Sequence, residues 1–338
     1  MNKTGKPTTI KEIARKLKIS PSTVSRALND HPSIGLVTTM RVKKVAEELN
    51  YEPNQTAIFF KQRKTFTIGV ILPKLSEPFF SSAITAIENV AEEKNYTVLL
   101  GQSLDDVERE QHILNTFKKH RVDGVLMSLG KNTNELSFIS VMESAEIPIV
   151  FFDCVPPISN INKVYCELNT GIKEAIDTFV SHGNTNIALI NGPEKLFASI
   201  ERTASFKSIL SDNGLDCNDD YVVHTDLTKE GNIEAIETLL TLPTPPTAIL
   251  SFNDFVTLDI IKYSRQKGLN IGTDINFISF ANYSLWEYIE TPPLASIEQY
   301  PGLQGKAAAD ILFNILTNKD KKEIAPEEII FNSKLILK

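Results

Sequence analysis

Three short helices are predicted at the N-terminus because apolar residues recur there every three to four positions. Thr9 precedes the first helix as a candidate N-cap, and Glu12 follows three residues later, as in a capping box. Ser20 and Pro21 give the second helix an N-cap and a proline at its first position. The third helix is predicted over residues 38–50. The side chains expected to face a shared core are Ile10, Ile13, Ala14, Leu17, Val24, Ala27, Leu28, Val42, Val45, Ala46 and Leu49.

From Phe66 onward, short apolar runs alternate with amphipathic segments. TIGVILP, TVLLGQ, VDGVLMS and NIALING are typical of buried strands, and FFSSAITAIENVAEEKN and TGIKEAIDTFVSHG are typical of the helices between them. This alternation predicts parallel, doubly wound sheets. About eleven strands are predicted, too many for one compact sheet, so we expect two Rossmann-like lobes.

Composition narrows the class of protein. The 338 residues are 42% apolar, enough for several buried cores. No apolar run approaches the roughly 20 residues that a membrane helix needs, and no apolar signal region follows the basic N-terminus. Cys154, Cys166 and Cys217 lack CxxC spacing, which argues against a disulfide framework and a zinc site. We expect a cytoplasmic protein without a membrane partner or a cofactor.

The net charge of −7 hides an asymmetry. Residues 1–64 carry 13 Lys and Arg against 5 Asp and Glu, or +8, which leaves 22 against 37, or −15, for residues 65–338. A basic head on an acidic body indicates that the head binds a polyanion. The alternative is a basic face that is only solvated.

The first two helices are joined by only a few residues, which favours a helix-turn-helix whose second helix enters the DNA major groove. The side chains expected to be exposed there are Pro21, Ser22, Thr23, Ser25 and Arg26. Small hydroxyls can approach phosphates or base edges, and Arg26 can reach a guanine or a phosphate. Alternatively, the serines and threonines only cap a generic three-helix bundle.

The string TIKEIARKLKISPSTVSRALND, followed by VKKVAEELNYEPN, resembles the DNA-binding head of the lactose-repressor (LacI/GalR) family of bacterial transcription regulators. The resemblance implies base-reading roles for Pro21, Ser22 and Arg26. It also places further DNA contacts, mostly to the phosphate backbone, at Thr9, Thr23, Ser25, Asn29 and Thr38. Gly35 stands where the family often has a serine that caps the third helix; glycine is a tolerable N-cap.

The connector PNQTAIFFKQRKTF resembles the family's hinge, which becomes helical when two subunits lie side by side on an operator. Asn54 can cap this segment, which is too short to form a stable helix alone. The resemblance places Ala57 at a small position facing the partner helix or the groove. It places Phe60 where a leucine wedges between base steps of the minor groove. Alternatively, Phe60 packs on the larger domain, as we expect for Phe59.

The resemblance extends to the body and implies a fold class: an N-terminal all-α helix-turn-helix domain plus an α/β, two-lobed, periplasmic-binding-protein-like effector domain. The expected domains are residues 1–53 for DNA binding, 54–65 for the hinge and 66–338 for effector binding and dimerisation. The first lobe is expected over about 66–163 and 298–323, and the second over about 164–297 and 324–338. The last strand-like segment SKLILK ends the chain without a further heptad segment, so a homodimer is expected rather than a tetramer.

Ligands of such sheets bind outside the carboxyl ends of the strands, here between the lobes. That argument and the resemblance together select seven effector-binding candidates: Phe79, Phe80, Asp153, Asn191, Arg202, Asn253 and Asn282. Five of the seven have a structural alternative. Arg202 can bridge the lobes in a salt bridge, Asp153 and Asn253 can cap helices, and the two phenylalanines can belong to the core.

A sugar or sugar derivative is the leading effector class by resemblance, with two departures. Ala281 and Asn282 follow the run FISF, where the family usually has an aspartate, and the loop HTDLTKEG lacks an aromatic stacking residue. The function expected is a repressor of transcription whose affinity for a pseudo-palindromic double-stranded operator is controlled by this small molecule.

Other functional classes fit the sequence less well. It contains no GxGxxG, GxxxxGK[ST], GxSxG or HExxH, which argues against an enzyme of the corresponding classes. A transporter's solute-binding protein would need export, and an architectural DNA protein leaves a ligand cleft unexplained.

Overall fold

The computed structural model describes residues 8–52, 64–216, 218–318 and 325–338. The chain divides into two compact units, Met1–Lys64 and Thr65–Lys338. The predicted hinge contacts of Asn54, Ala57 and Phe60, and the packing predicted for Phe59, lie outside the described residues.

The smaller unit contains three helices: α1 (Ile10–Leu17), α2 (Pro21–Leu28) and α3 (Leu36–Glu48). The Thr9 amide donates to Glu12 Oε2 at 2.7 Å, and Ser20 Oγ accepts from the Thr23 amide at 3.1 Å. The third helix begins two residues earlier than predicted, at Leu36, because Gly35 has extended backbone and serves as its N-cap. The buried side chains of this unit are Ile13, Ala14, Val24, Ala27, Val42, Val45 and Ala46.

The larger unit contains two six-stranded sheets. The first sheet has the order β11-β5-β4-β3-β1-β2, and all its strands are parallel. Its strands are β1 (Thr67–Leu72), β2 (Thr97–Gln102), β3 (Gly124–Met127), β4 (Ile149–Phe152), β5 (Lys163–Glu167) and β11 (Glu328–Asn332). The second sheet has the order β12-β10-β9-β8-β6-β7, with only β12 antiparallel. Its strands are β6 (Ile187–Asn191), β7 (Val222–His224), β8 (Ala248–Ser251), β9 (Asn276–Phe280), β10 (Ala295–Glu298) and β12 (Lys334–Leu337).

Helices cover both faces of each sheet. Those packed on the first sheet are α4 (Pro78–Glu93), α5 (Val107–His120), α6 (Phe138–Ser144) and α11 (Pro301–Thr317). Those packed on the second are α7 (Asn169–Ser181), α8 (Phe197–Asp212), α9 (Lys229–Leu240) and α10 (Asp254–Gln266). Because both faces are covered, the central strands are continuous apolar runs, with every residue of β3, β6, β8 and β9 buried. No helix among the described residues combines the length and apolar character needed to cross a membrane.

The sheets divide the chain differently from the predicted lobes. The prediction assigned residues 324–338 to the second lobe, but β11 pairs with β5 in the first sheet and only β12 joins the second. The first lobe also keeps β5, beyond the predicted boundary at residue 163. The chain changes lobe at Ser333, which is buried and whose Oγ accepts from the Gly171 amide at 3.0 Å. The run IIFNSKLILK carries no turn signal at that serine.

A close approach of α11 to α4 fixes the core of the first lobe. At Gly305 an added Cβ would lie far inside van der Waals distance of the Ala83 carbonyl oxygen, an α4 backbone atom that cannot swing away. Gly302, one turn earlier on α11, has only Ser82 Oγ nearby, at 3.6 Å from such a Cβ. Glycine is therefore required at position 305 but not at position 302.

We expect Gly305→Ala to destabilise the protein by about 1 to 3 kcal/mol, because the methyl group must push two packed helices apart. The midpoint of thermal unfolding should fall by several degrees. Gly302→Ala is the matched control on the same helix and should leave the midpoint unchanged or raise it slightly, since alanine favours a helix over glycine. Equal midpoints for the two variants would contradict the close contact.

Candidate functional site

The α2 helix presents a polar face to solvent. Pro21, Ser22 and Arg26 are exposed, while Val24 and Ala27 are completely buried against the other helices. Within the described residues the Arg26 guanidinium forms neither a hydrogen bond nor an ion pair, so it is available to a phosphate or a base edge. The helix thus has the division into buried and exposed sides that a recognition helix needs.

The other predicted DNA-binding side chains of the described head are at least partly exposed. Thr23 and Ser25 on α2 and Thr38 in the first turn of α3 are partly exposed, and Thr9 and Asn29 are exposed. Asn29 Nδ2 donates to the Ser25 carbonyl at 2.7 Å, which holds the amide beside α2. These placements leave all five side chains accessible.

In the larger unit, polar side chains from the two sheets meet between the lobes. Asp153 follows β4 in the first lobe with left-handed backbone, at a φ of 60°, and its Oδ2 accepts from Ser128 Oγ at 3.0 Å. Left-handed backbone is costly for a residue other than glycine and is often retained at binding sites. Burial raises the pKa of the Asp153 carboxyl, an effect that the Ser128 hydrogen bond and the charge of Arg202 oppose.

Arg202 approaches Asp153 from α8 of the second lobe. Its guanidinium lies 4.4 Å from the centre of the Phe252 ring and 4.3 Å from that of Phe280, and Nη1 donates to the Phe252 carbonyl at 3.1 Å. Nε has no hydrogen-bond partner among the described residues. Burial lowers the pKa of the guanidinium to about 10, although the Cys154 thiol and the Asp153 carboxyl act in the opposite direction.

The predicted alternative for Arg202, a salt bridge between the lobes, does not form in the described part of the chain. No carboxylate there lies within 4.0 Å of its guanidinium. Burying a charge without a carboxylate partner costs free energy of desolvation. A ligand that accepts a hydrogen bond from this guanidinium would offset that cost.

Glu77 is a cleft residue that the sequence reasoning missed. It occupies the N-cap position of α4, but its side chain caps no backbone amide and has no hydrogen bond to any described residue. Burial raises the pKa of this carboxyl to about 7, with further contributions from Asp153 and Asp105. The available sequence signal is a glutamate immediately before Pro78, in the loop that follows the buried strand β1.

Tyr283, in the loop after β9 of the second lobe, lies near this carboxyl. It is buried, and the pKa of its phenol is raised by burial, with Glu77 and Asp254 contributing. Asp254, completely buried at the start of α10, accepts from the Tyr283 amide at 2.5 Å and from the hydroxyls of Ser279 and Ser296. Asp254 therefore positions the loop that brings Tyr283 into the cleft.

The other predicted effector residues have structural partners. Phe79 and Phe80 are buried in the first lobe's core, edge to face at 5.3 Å. Asn191 Nδ2 donates to the Ser199 carbonyl at 2.8 Å and to Thr203 Oγ1 at 3.0 Å, and Asn253 Oδ1 caps α10 by accepting from the Val256 amide at 2.9 Å. These contacts match the alternatives of core packing for the two phenylalanines and of helix capping for Asn253.

Asn282 is also engaged. Its Nδ2 donates to Glu298 Oε2 at 2.7 Å, and its Oδ1 accepts from Lys338 Nζ at 2.5 Å. Together with Phe79 it lines a groove of about 550 Å³ whose lining includes neither Asp153 nor Arg202. Of the seven predicted residues, the structure brings only Asp153 and Arg202 into one polar cluster.

Metal binding finds no support in the described part of the chain, where no three His, Cys, Asp or Glu side chains are grouped to hold an ion. Cys154 and Cys166, the two cysteines described, are not joined in a disulfide. Burial raises the pKa of both thiols, so neither is an activated nucleophile.

Comparison with known proteins identifies the family. Residues 65–336 match the family described as "Periplasmic binding proteins and sugar binding domain of LacI family". Residues 9–54 match "Bacterial regulatory proteins, lacI family". The chain belongs to the LacI family. Members of this family are DNA-binding transcription regulators with a small-molecule-binding domain, not enzymes, and the predicted fold class is confirmed.

Three similar proteins illustrate this membership. The LacI-family chain is 30% identical, over 333 residues, to the HTH-type transcriptional repressor PurR of Aliivibrio fischeri (strain MJ11), covering 97% of this chain and 98% of the relative. It shares the fold of the Lac repressor dimer bound to operator and the anti-inducer ONPF, with a TM-score of 0.82, 23% identity and 98% of each chain covered. A LacI transcriptional regulator from Alkaliphilus metalliredigens QYMF, complexed with D-xylulofuranose, has a TM-score of 0.66 and 25% identity, covering 80% of this chain and 97% of that one.

We expect Glu77→Gln to stabilise this LacI-family protein at pH 8 and much less at pH 5. The folded-state pKa of about 7 lies above the ordinary value of 4.5, so the ionisation penalty is fully present above pH 7 and disappears as pH falls towards 4.5. The shift corresponds to about 2 to 3 kcal/mol at pH 8 and to less than about 1 kcal/mol at pH 5. Thermal unfolding midpoints at the two pH values provide the measurement.

Glu88→Gln is the control, because Glu88 lies on the same helix but is exposed. Its effect on the midpoint should be small and the same at both pH values. A Glu77→Gln variant less stable than wild type at pH 8 would show that the carboxylate supports the fold rather than strains it.

Proposed function

We propose that this LacI-family protein is a homodimeric repressor of transcription that works in the cytoplasm, at the nucleoid, and binds a pseudo-palindromic operator. The exposed face of α2 reads the operator, through Pro21, Ser22 and Arg26, and a sugar-like effector bound between the lobes controls operator affinity. The observation that carries effector control is Arg202, a buried guanidinium with no carboxylate partner in the described part of the chain. The Lac repressor relative, a dimer on operator DNA, supports the dimeric part of the proposal.

A sugar-like effector suits the cleft chemically. Arg202 Nε offers an unused donor, and the carboxylates of Asp153 and Glu77 offer acceptors on the opposite lobe. A polyhydroxylated ring presents both acceptors and donors and can satisfy all three groups at once. The D-xylulofuranose in the relative from Alkaliphilus metalliredigens supports the same class.

Effector control follows from linkage between the lobes. A ligand that contacts Asp153 on one lobe and Arg202 on the other favours the arrangement in which both contacts form. It changes operator affinity only by the difference between its affinities for the two arrangements of the lobes.

We expect Arg26→Ala to weaken binding to an operator selected from a random duplex library by about ten- to a hundredfold, because a bidentate arginine contact to guanine contributes about 1 to 3 kcal/mol. Fluorescence anisotropy at fixed salt measures the affinity. Lys173→Ala, which removes one positive charge from the exposed surface of α7, is the control and should bind like wild type. Wild-type affinity for Arg26→Ala would remove α2 from the role of recognition helix.

We expect Arg202→Met to retain operator affinity without effector and to lose the response to effector. Methionine fills the space between Phe252 and Phe280 without a buried charge, so the lobe should fold. The measurements are operator affinity by anisotropy and the thermal shift of the full chain with a panel of sugars. An effector response equal to that of wild type would place the effector away from Arg202.

A further inference from the structure

The charged residues of the cleft restrict the charge of the ligand. This inference rests on the proposed control by a sugar-like effector. We propose that Glu77 is a specificity-determining residue: it requires a hydrogen-bond donor on the ligand, and with Asp153 it excludes ligands that carry a phosphate or another anionic group. The ligand class is therefore a neutral polyol or an amino sugar, not a sugar phosphate or a nucleotide.

Glu77 has unused hydrogen-bonding capacity. Its side chain is partly buried at the start of α4, and no described residue donates to its carboxylate. A carboxylate that loses part of its hydration is normally paired or hydrogen-bonded, because desolvation without a partner costs free energy. Arg202 is only 8% exposed, and its Nε has no hydrogen-bond partner among the described residues. A ligand that donates to Glu77 and accepts from Arg202 Nε would supply both missing hydrogen bonds.

Charged groups of the first lobe surround Glu77. The groups whose charges act on Glu77 are Asp153, Asp105, Lys74 and Lys131, and Tyr283 faces it from the second lobe. Lys131 is already committed to Asp105, with an Nζ to Oδ2 distance of 3.8 Å and a backbone hydrogen bond to Oδ1 of 3.0 Å. Lys74 is exposed.

Further carboxylates lie at the end of β5 and on the second lobe. Glu167, at the end of β5, and Glu201, on α8, come close enough that Glu167 helps to raise the pKa of Glu201. Asp226, after β7, faces Lys131 across the cleft. Arg202 is a buried cation, and Asp153 and Glu77 lie on the opposite lobe, so an entering phosphate would meet unfavourable charge from these two carboxylates.

A purely structural role for Glu77 makes a different prediction. A carboxylate at a helix N-terminus interacts favourably with the helix dipole, so Glu77→Gln would then destabilise the fold and leave ligand binding unchanged. The specificity role requires the reverse: a more stable protein above pH 7 that binds its ligand less tightly. The two roles are separable with one variant.

The test uses the full chain and matched probes: D-glucose, D-glucosamine and D-glucose 6-phosphate; D-ribose and D-ribose 5-phosphate; cellobiose. Thermal shift identifies the probes that bind, and titration calorimetry gives their affinities at pH 6 and pH 8. We expect binding among the neutral or amino sugars only. A neutral ligand that donates to the ionised carboxylate should bind about tenfold less tightly at pH 6 than at pH 8, because the Glu77 proton must first be released.

Glu77→Gln should weaken that ligand by about ten- to a hundredfold at pH 8 and remove the pH dependence, since a hydrogen bond to a charged group is lost. Glu88→Gln, the exposed control on α4, should match wild type at both pH values. A phosphate ester that binds as tightly as its parent sugar would overturn the charge selection, and so would unchanged affinity in Glu77→Gln. A panel without any binder would instead contradict sugar control itself, and this inference with it.

Discussion

The cleft depends on a guanidinium that is buried between two phenylalanine rings and contacts no carboxylate of the described residues. Arg202 recovers part of its lost hydration from the faces of Phe252 and Phe280 and from one carbonyl oxygen. These contacts hold the side chain in place, but Nε has no hydrogen-bond partner among the described residues. The rings that hold it come from the ends of β8 and β9, so the parallel sheet of the second lobe fixes the position of the charge.

The first lobe presents carboxylates, which need hydrogen-bond donors. Glu77 and Asp153 supply negative charge at the ends of β1 and β4, and neither is within salt-bridge distance of Arg202. If these groups paired directly, the lobes could close without a ligand. A ligand would then stabilise the closed arrangement of the lobes no more than the open one. Because the charges face each other without pairing, a ligand that contacts both lobes contributes interactions that neither lobe makes alone.

The sequence predicted the elements well because each depends on local periodicity. The core of the head follows from the apolar spacing of its helices, and the alternation of buried strands with helices predicts two parallel sheets. The division between the lobes was predicted less well, since Ser333 interrupts a β-like run and only the pairing of β11 with β5 shows where the chain crosses. Strand pairing at that point is a long-range property.

Site residues were harder to predict, because a polar side chain at a strand end serves equally well as a cap. Asn191 and Asn253 stand at such ends and use their amides to fix α8 and α10. Asp254 and Glu77 show how a structural carboxylate differs from one that can contact a ligand. Burial raises the pKa of both carboxyls. Asp254 accepts from two hydroxyls and a backbone amide, whereas Glu77 accepts from no described residue. The direction of the pKa shift is the same, and the count of hydrogen-bond donors separates a structural carboxylate from one left open to a ligand.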